Sequence, residues 1–123
     1  MADRNMKNIQ GLDYKVSVLA GSVTVATGTG GVTANAILGA SVARTGTGAF
    51  RITLEDAWPE LLACHIVVAK ATAQDLNPQI NAVTLASKQI DFRLLTGATP
   101  TDVTTEATTL YITMVFKNST INP

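Results

Sequence analysis

Cys64 and His65 are the one pair in this chain whose types could supply a nucleophile and its base, and they are its single cysteine and single histidine. A thiol–imidazole couple works when the two groups lie within hydrogen-bond reach. These two are neighbours within 63–71, a run that reads as a strand, and neighbours on a strand leave on opposite faces. The spacing therefore predicts divergence, with a buried thiol and a half-exposed imidazole. A single cysteine makes no intrachain disulfide, and no Cys/His cluster offers the ligand spacing of a zinc site.

Three other groupings carry types that could do chemistry. Glu55, Asp56 and Glu60 flank Trp58-Pro59. Close carboxylates can hydrolyse glycosides or hold calcium, and beside a Trp-Pro turn they also cap and solubilise. Gly28-Thr29-Gly30-Gly31 has the glycines of a phosphate-cradling loop but lacks the Lys-Ser/Thr of a P-loop and the third-glycine spacing of a dinucleotide fold. Lying among strands, it predicts a hairpin or inter-sheet loop. Trp58 could stack on a sugar or a base, but a lone Trp in a small β domain more commonly plugs a core or anchors an interface. The expectation is a chain with no catalytic residue, no metal ligand and no cofactor: not an enzyme.

Charge narrows the classes further. Nine basic side chains balance nine acidic ones. A grip on nucleic acid needs unopposed Lys and Arg, so none is expected. Neutrality also removes repulsion between copies. No run approaches the roughly 18 apolar residues of a membrane span. The N-terminal MADRNMKNIQ has charges with no apolar stretch behind it, so a secretory signal is not expected either. The simplest expectation is a soluble protein made in a cytoplasm. Charged residues make up 15% of the chain, below ordinary usage, and Thr, Ala, Gly and Val fill the deficit. Such a surface suits packing against other protein.

These groups sit on a chain of 123 residues, one ordinary domain able to bury about two-thirds of its unfolded surface. Residues 1–12 are polar and aperiodic and read as an N-terminal arm, with Arg4, Asn5 and Lys7 as candidate partner contacts. Residues 13–118 form the domain, and 119–123 a tail. Period-two alternation predicts strands at 14–18 and 22–26, joined as a hairpin at Ala20-Gly21-Ser22. The stretch 32–44 reads two ways, as a helical turn over 34–38 or as a strand over 37–44; the strand is favoured, with Gly39 and Ala40 at its centre and Leu38, Ala40 and Val42 on one face. Others follow at 49–54, 63–71, 79–86, 89–95 and 108–117. The 63–71 run is almost continuously apolar and so is expected to be central. Residues 55–62 read as a corner plugged by Trp58 and Leu61. Residues 96–106 read as a polar loop around Pro100, which with Trp58 completes the candidate contacts.

About eight short strands with turn signals between them predict an all-β antiparallel β-sandwich or jelly-roll-like domain. The expected core is Phe50, Ile52, Leu54, Ile66, Val68, Phe92, Leu94, Ile112, Met114 and Phe116. Exposed strand faces carry Thr53, Thr109 and Thr113. These reflect β-propensity or, more sharply read, a flat uncharged surface suited to packing against copies of the same chain.

The stretch GTGAFRITLEDAWPELL over 46–62, with LLTGATPTD over 94–102 and LYITMVFKNS over 110–119, resembles small virion proteins of tailed bacteriophages. A glycine turn leads into a strand and an acidic-aromatic-proline corner. A second strand, a Thr/Pro loop and a final strand ending in Asn-Ser follow. The resemblance spans roughly 46–119 and leaves 1–45 aside. It implies a capsid decoration or cement protein: β-rich, often trimeric, seated over junctions between major capsid subunits. The partners it implies are the major capsid protein and copies of the chain itself as a homotrimer, on the capsid surface of a virion assembled in the host cytoplasm. It carries over no individual functional residue. Two alternatives stand beside it: another phage virion part, such as a head fibre, tail or spike subunit, and a carbohydrate-binding β-sandwich using Trp58 and the acidic corner.

Overall fold

The structure is a computed structural model that describes residues 16–117. Arg4, Asn5 and Lys7 of the expected arm, and the expected 119–123 tail, lie outside the described residues. Nine strands follow in order: β1 (Val16–Val25), β2 (Val32–Ile37), β3 (Ala40–Gly46), β4 (Ala49–Leu54), β5 (Glu60–Ala69), β6 (Asn77–Thr84), β7 (Gln89–Thr96), β8 (Thr99–Pro100) and β9 (Thr108–Lys117). They form two antiparallel sheets, β2-β1-β9-β5 and β3-β4-β7-β6, with the short β8 on β7. The domain is a β-sandwich. Among the described residues there is no α-helix, and the helical content is two three-residue 3-10 turns, Gly28–Gly30 and Leu85–Ser87.

Period-two alternation builds the core. On β9, Leu110, Ile112, Met114 and Phe116 are buried while Tyr111 and Thr113 are exposed. On the facing sheet, β4 turns in Phe50, Ile52 and Leu54, and β7 turns in Ile90, Phe92 and Leu94. Phe50 and Phe92 sit opposite each other in the β4–β7 ladder and stack with centroids 5.3 Å apart. All the expected core residues are buried except Ile66 and Val68, which are half-buried and pack against the others. Val23, Val25, Val42, Val103 and Leu110 join them.

Three expectations are corrected. The hairpin at Ala20-Gly21-Ser22 does not form: β1 runs unbroken through it. Gly21 lies opposite Ile112 on β9 and Ile37 on β2, and a Cβ on it would stand 2.1 Å from the Ala36 carbonyl oxygen. The glycine permits a close approach of backbones and makes no turn. The single strand over 37–44 is instead two strands in different sheets, joined by a turn at Leu38-Gly39. Ala40 and Val42 do point inward, but Leu38 is 88% exposed. Finally, β5 is an edge strand, not a central one. A bulge between Leu61 and Ala63 turns Leu62 outward, and Val67 is also exposed, so the run is apolar on two faces of which only one is covered.

Sheet-crossing connections place β2 beside β3 on one flank and β5 beside β6 on the other. At the first seam the Asn35 amide substitutes for a ladder. It accepts from the Val42 N–H at 2.8 Å and donates to the Val42 carbonyl at 3.4 Å. At the second seam a cleft of about 300 Å³ opens, lined by Cys64, His65, Ile66, Pro78 and Ile80.

Candidate partner surfaces

The corner after β4 is fixed by its backbone. The Leu54 N–H donates to the Lys88 carbonyl at 2.8 Å and the Glu55 N–H to the Gly39 carbonyl at 3.0 Å. Pro59 keeps the preceding backbone out of helical geometry. Trp58 then folds onto Phe116, ring centroids 5.3 Å apart and planes 18° from parallel. One indole face is therefore taken by the core. The indole N–H is buried without a hydrogen-bond partner among the described residues. Glu55, Asp56 and Glu60 are exposed around it, and no group of His, Cys, Asp and Glu among the described residues could hold a metal ion.

Truncating Trp58 to alanine is expected to cost about 2–4 kcal/mol, since a large stacked ring leaves a void. Trp58→Phe should cost far less, because it keeps the stack and deletes the unpaired N–H. Urea midpoints of the two variants check this, and equal losses would show that the stack on Phe116 contributes little.

Pro100 stands at a second, stitched region. It pairs with Leu95 across the β7–β8 turn, and the Thr101 N–H donates to the Leu94 carbonyl at 2.9 Å. Asp102 follows as a clamp. Its carboxylate accepts from Arg44 Nε at 3.1 Å, from Arg44 Nη2 at 2.8 Å and from the Gly48 N–H at 2.9 Å. On the other side Gln74 donates to the Asp102 carbonyl at 3.1 Å and accepts from the Thr104 N–H at 3.0 Å. Lys70 also reaches the Thr104 carbonyl, and Glu106 accepts from the Thr72 N–H at 3.0 Å. The loop that carries Pro100 into β9 is thus tied to two neighbouring segments.

Hydrogen bonds from Arg44 hold the Asp102 carboxyl below the usual carboxylate range, against its partial desolvation and with help from Gly48 N–H and the Arg44 charge. Arg51 lowers Asp91 in the same way. A carboxyl whose folded pKa is depressed contributes stability above its unfolded pKa of about 4 and loses it as pH falls through the lower folded value. Wild-type stability should therefore fall as pH drops below about 4. Asp102→Asn should be less stable at pH 7 and show a shallower acid decline, read from melting temperatures across pH 2.5–7. Parallel curves for the two proteins would count against the clamp.

Cys64 lies opposite Met114 and His65 opposite Thr113, so the two leave β5 on opposite faces, as the spacing predicts. Burial pushes the Cys64 thiol up to about 11, which keeps it protonated at neutral pH.

The outer faces of the two sheets differ. On β3-β4-β7-β6, Arg51 and Asp91 pair across strands at 2.8 and 3.2 Å, and Arg93 donates to Gln79 at 3.0 Å. Thr53 belongs to this face. On β2-β1-β9-β5 the strands carry two charged side chains, Glu60 and Lys117, which share one register position at one end. Thr109 and Thr113 belong to this second face, beside Tyr111 at 55% exposure and Val67 at 58%.

Trp58 packs at the Phe116 end of β9, whereas the Pro100 loop enters β9 at Thr108. The two candidate contacts therefore form no common site. Sequence reasoning passed over Tyr111 and Val67. Their signal is an apolar residue on the outward phase of a strand, and it becomes legible once β5 is known to be an edge. No family model, no curated protein and no solved structure matches the chain.

Proposed function

We propose that this chain is a structural virion protein of a tailed bacteriophage: a capsid decoration or cement protein that stabilises subunit junctions through protein–protein contact. The resemblance over 46–119 supplies the phage context. The observation that carries the binding role is the division of the surface. One sheet turns paired charges to water, and the other turns out a face whose strands are nearly free of charge. Mild, uncharged β surfaces suit burial against protein, where a desolvated charge without a partner would be costly. A sandwich tied by the Asp102 clamp and the Asn35 seam is a rigid block, so docking it orders few groups. In this reading the arm carrying Arg4, Asn5 and Lys7 adds reach. Its basic and amide side chains contact the major capsid protein.

The test mixes purified chain with capsids assembled without it and measures occupancy by co-sedimentation. Saturable occupancy that raises the temperature of capsid disruption is the expected result. Deleting residues 2–10 should lower occupancy while leaving the melting temperature of the free protein nearly unchanged. Binding to tails or fibres and not to capsids would reassign the chain to another virion part. A glycan-array signal that vanishes in Trp58→Ala would replace the reading with carbohydrate binding.

A further inference from the structure

We infer that the outer face of the β2-β1-β9-β5 sheet is a self-association surface, on which a second copy of this chain packs face to face with a two-fold axis running along the strands. This inference concerns the same uncharged face that supports the proposed function, but its test needs nothing but the chain itself: a copy covers the face in the free protein, and a capsid would take that copy's place.

The central row of that face is Ala36, Ser22, Tyr111 and Val67, read from β2 across to β5 through the register of the three ladders. Its β2–β1 half is small and its β9–β5 half is large. Tyr111 and Val67 are more than half exposed and lie side by side as register partners of the β9–β5 ladder, so their apolar bulk forms one patch. A two-fold axis parallel to the strands, between β1 and β9, sets β1 over the partner's β9 and β2 over the partner's β5. Tyr111 then meets Ser22 of the partner subunit, and Val67 meets Ala36 of the partner subunit. Large residues fall on small ones, as close-packed sheets at about 10 Å require. An axis across the strands would set Tyr111 on its own copy and leave a gap over the alanines.

The area suffices. Four strands about 4.8 Å apart and some eight residues long at about 3.3 Å each cover roughly 500 Å² per copy. Two copies bury about 1,000 Å², the lower bound of a specific interface. The occupant is a copy and not a charged partner because the strands of this face carry only Glu60 and Lys117 as charged side chains, opposite in sign and together at one end of the sheet, away from the central row.

The experiment is sedimentation equilibrium of the free, full-length protein from about 5 to 200 µM, a range set by the modest area. The expected mass is twice the chain's 12.9 kDa at the upper end. Val67→Glu and Ala36→Lys, both at exposed positions, should each weaken dimerisation at least tenfold with circular dichroism unchanged. The double variant V67E/A36K places each glutamate over a partner lysine and should restore the dimer. Thr53→Glu, on the other sheet, should leave it intact. A wild-type monomer throughout, a mass of three chains, or a dimer untouched by Val67→Glu overturns the inference. Singles that dissociate without rescue in the double variant overturn the proposed axis. Failure to bind capsids, with the dimer intact, would bear on the proposed function alone.

Discussion

Replacing Phe92 by alanine is expected to remove about 3–5 kcal/mol of stability, the largest single loss among the core positions. Phe92 is wholly buried on β7, which is hydrogen-bonded to β4 on one side and β6 on the other. Its ring stacks on Phe50 at 5.3 Å. Neighbouring strands are locked by their ladders, so the void cannot collapse, and the cavity cost adds to the lost transfer energy. Against a total stability of about 5–15 kcal/mol, such a loss brings the domain near its unfolding threshold. Urea unfolding measures it directly. A loss under about 1 kcal/mol would mean that the inward and outward faces of β7 are reversed.

Gly48→Ala is the second large effect, expected at about 2–5 kcal/mol from two separate causes. The backbone at Gly48 has φ of +61°, a region that residues with a Cβ avoid. The new methyl would also stand 2.3 Å from the Thr101 nitrogen and 2.8 Å from the Pro100 carbonyl carbon, both main-chain atoms. Neither can yield without breaking the Asp102 clamp, because the Gly48 N–H is itself one of its donors. Gly97→Ala is the control: the same positive φ, at +60°, with nothing within 4 Å of the added Cβ. It should cost only the conformational part, about 1–2 kcal/mol. Equal losses in the two variants would remove the steric half of the argument.

The elements that sequence made legible are those where local pattern and tertiary role agree. β4, β7 and β9 alternate cleanly, and Thr108–Lys117 forms as one strand with the inward phase expected for Leu110 through Phe116. Where glycine sits in an alternating run, the pattern misleads. Gly21 and Gly39 carry the same local signal, yet one lies mid-strand under the Ala36 carbonyl and the other makes a turn between sheets. What distinguishes them is the distance to another segment, which no local window contains. Edge or centre is hidden for the same reason: β5 is apolar on both phases whether or not a strand covers it. Trp58 was legible as a plug because the following Pro59 fixed its backbone. Asp102 passed as one polar residue in a Thr-rich loop, since its partner Arg44 is fifty-eight positions away.

The strand order also dictates when this protein can fold. β9 comes last of the nine strands among the described residues and yet lies between β1 and β5, pairing with β1 along its whole length and with β5 from Thr109 to Lys117. Val16 meets Lys117, so β1 must wait through a separation of about a hundred residues for its neighbour. High sequence separation of this kind predicts folding in milliseconds to seconds, slow for a domain this small. During synthesis the Val23–Val25 side of β1 and the Ile66–Val68 side of β5 stay uncovered until Thr108–Lys117 has left the ribosome tunnel. A chain released at residue 107 would hold the β3-β4-β7-β6 half with its inner face open. Such a species binds chaperones or aggregates, and completing one ten-residue strand is enough to end that exposure.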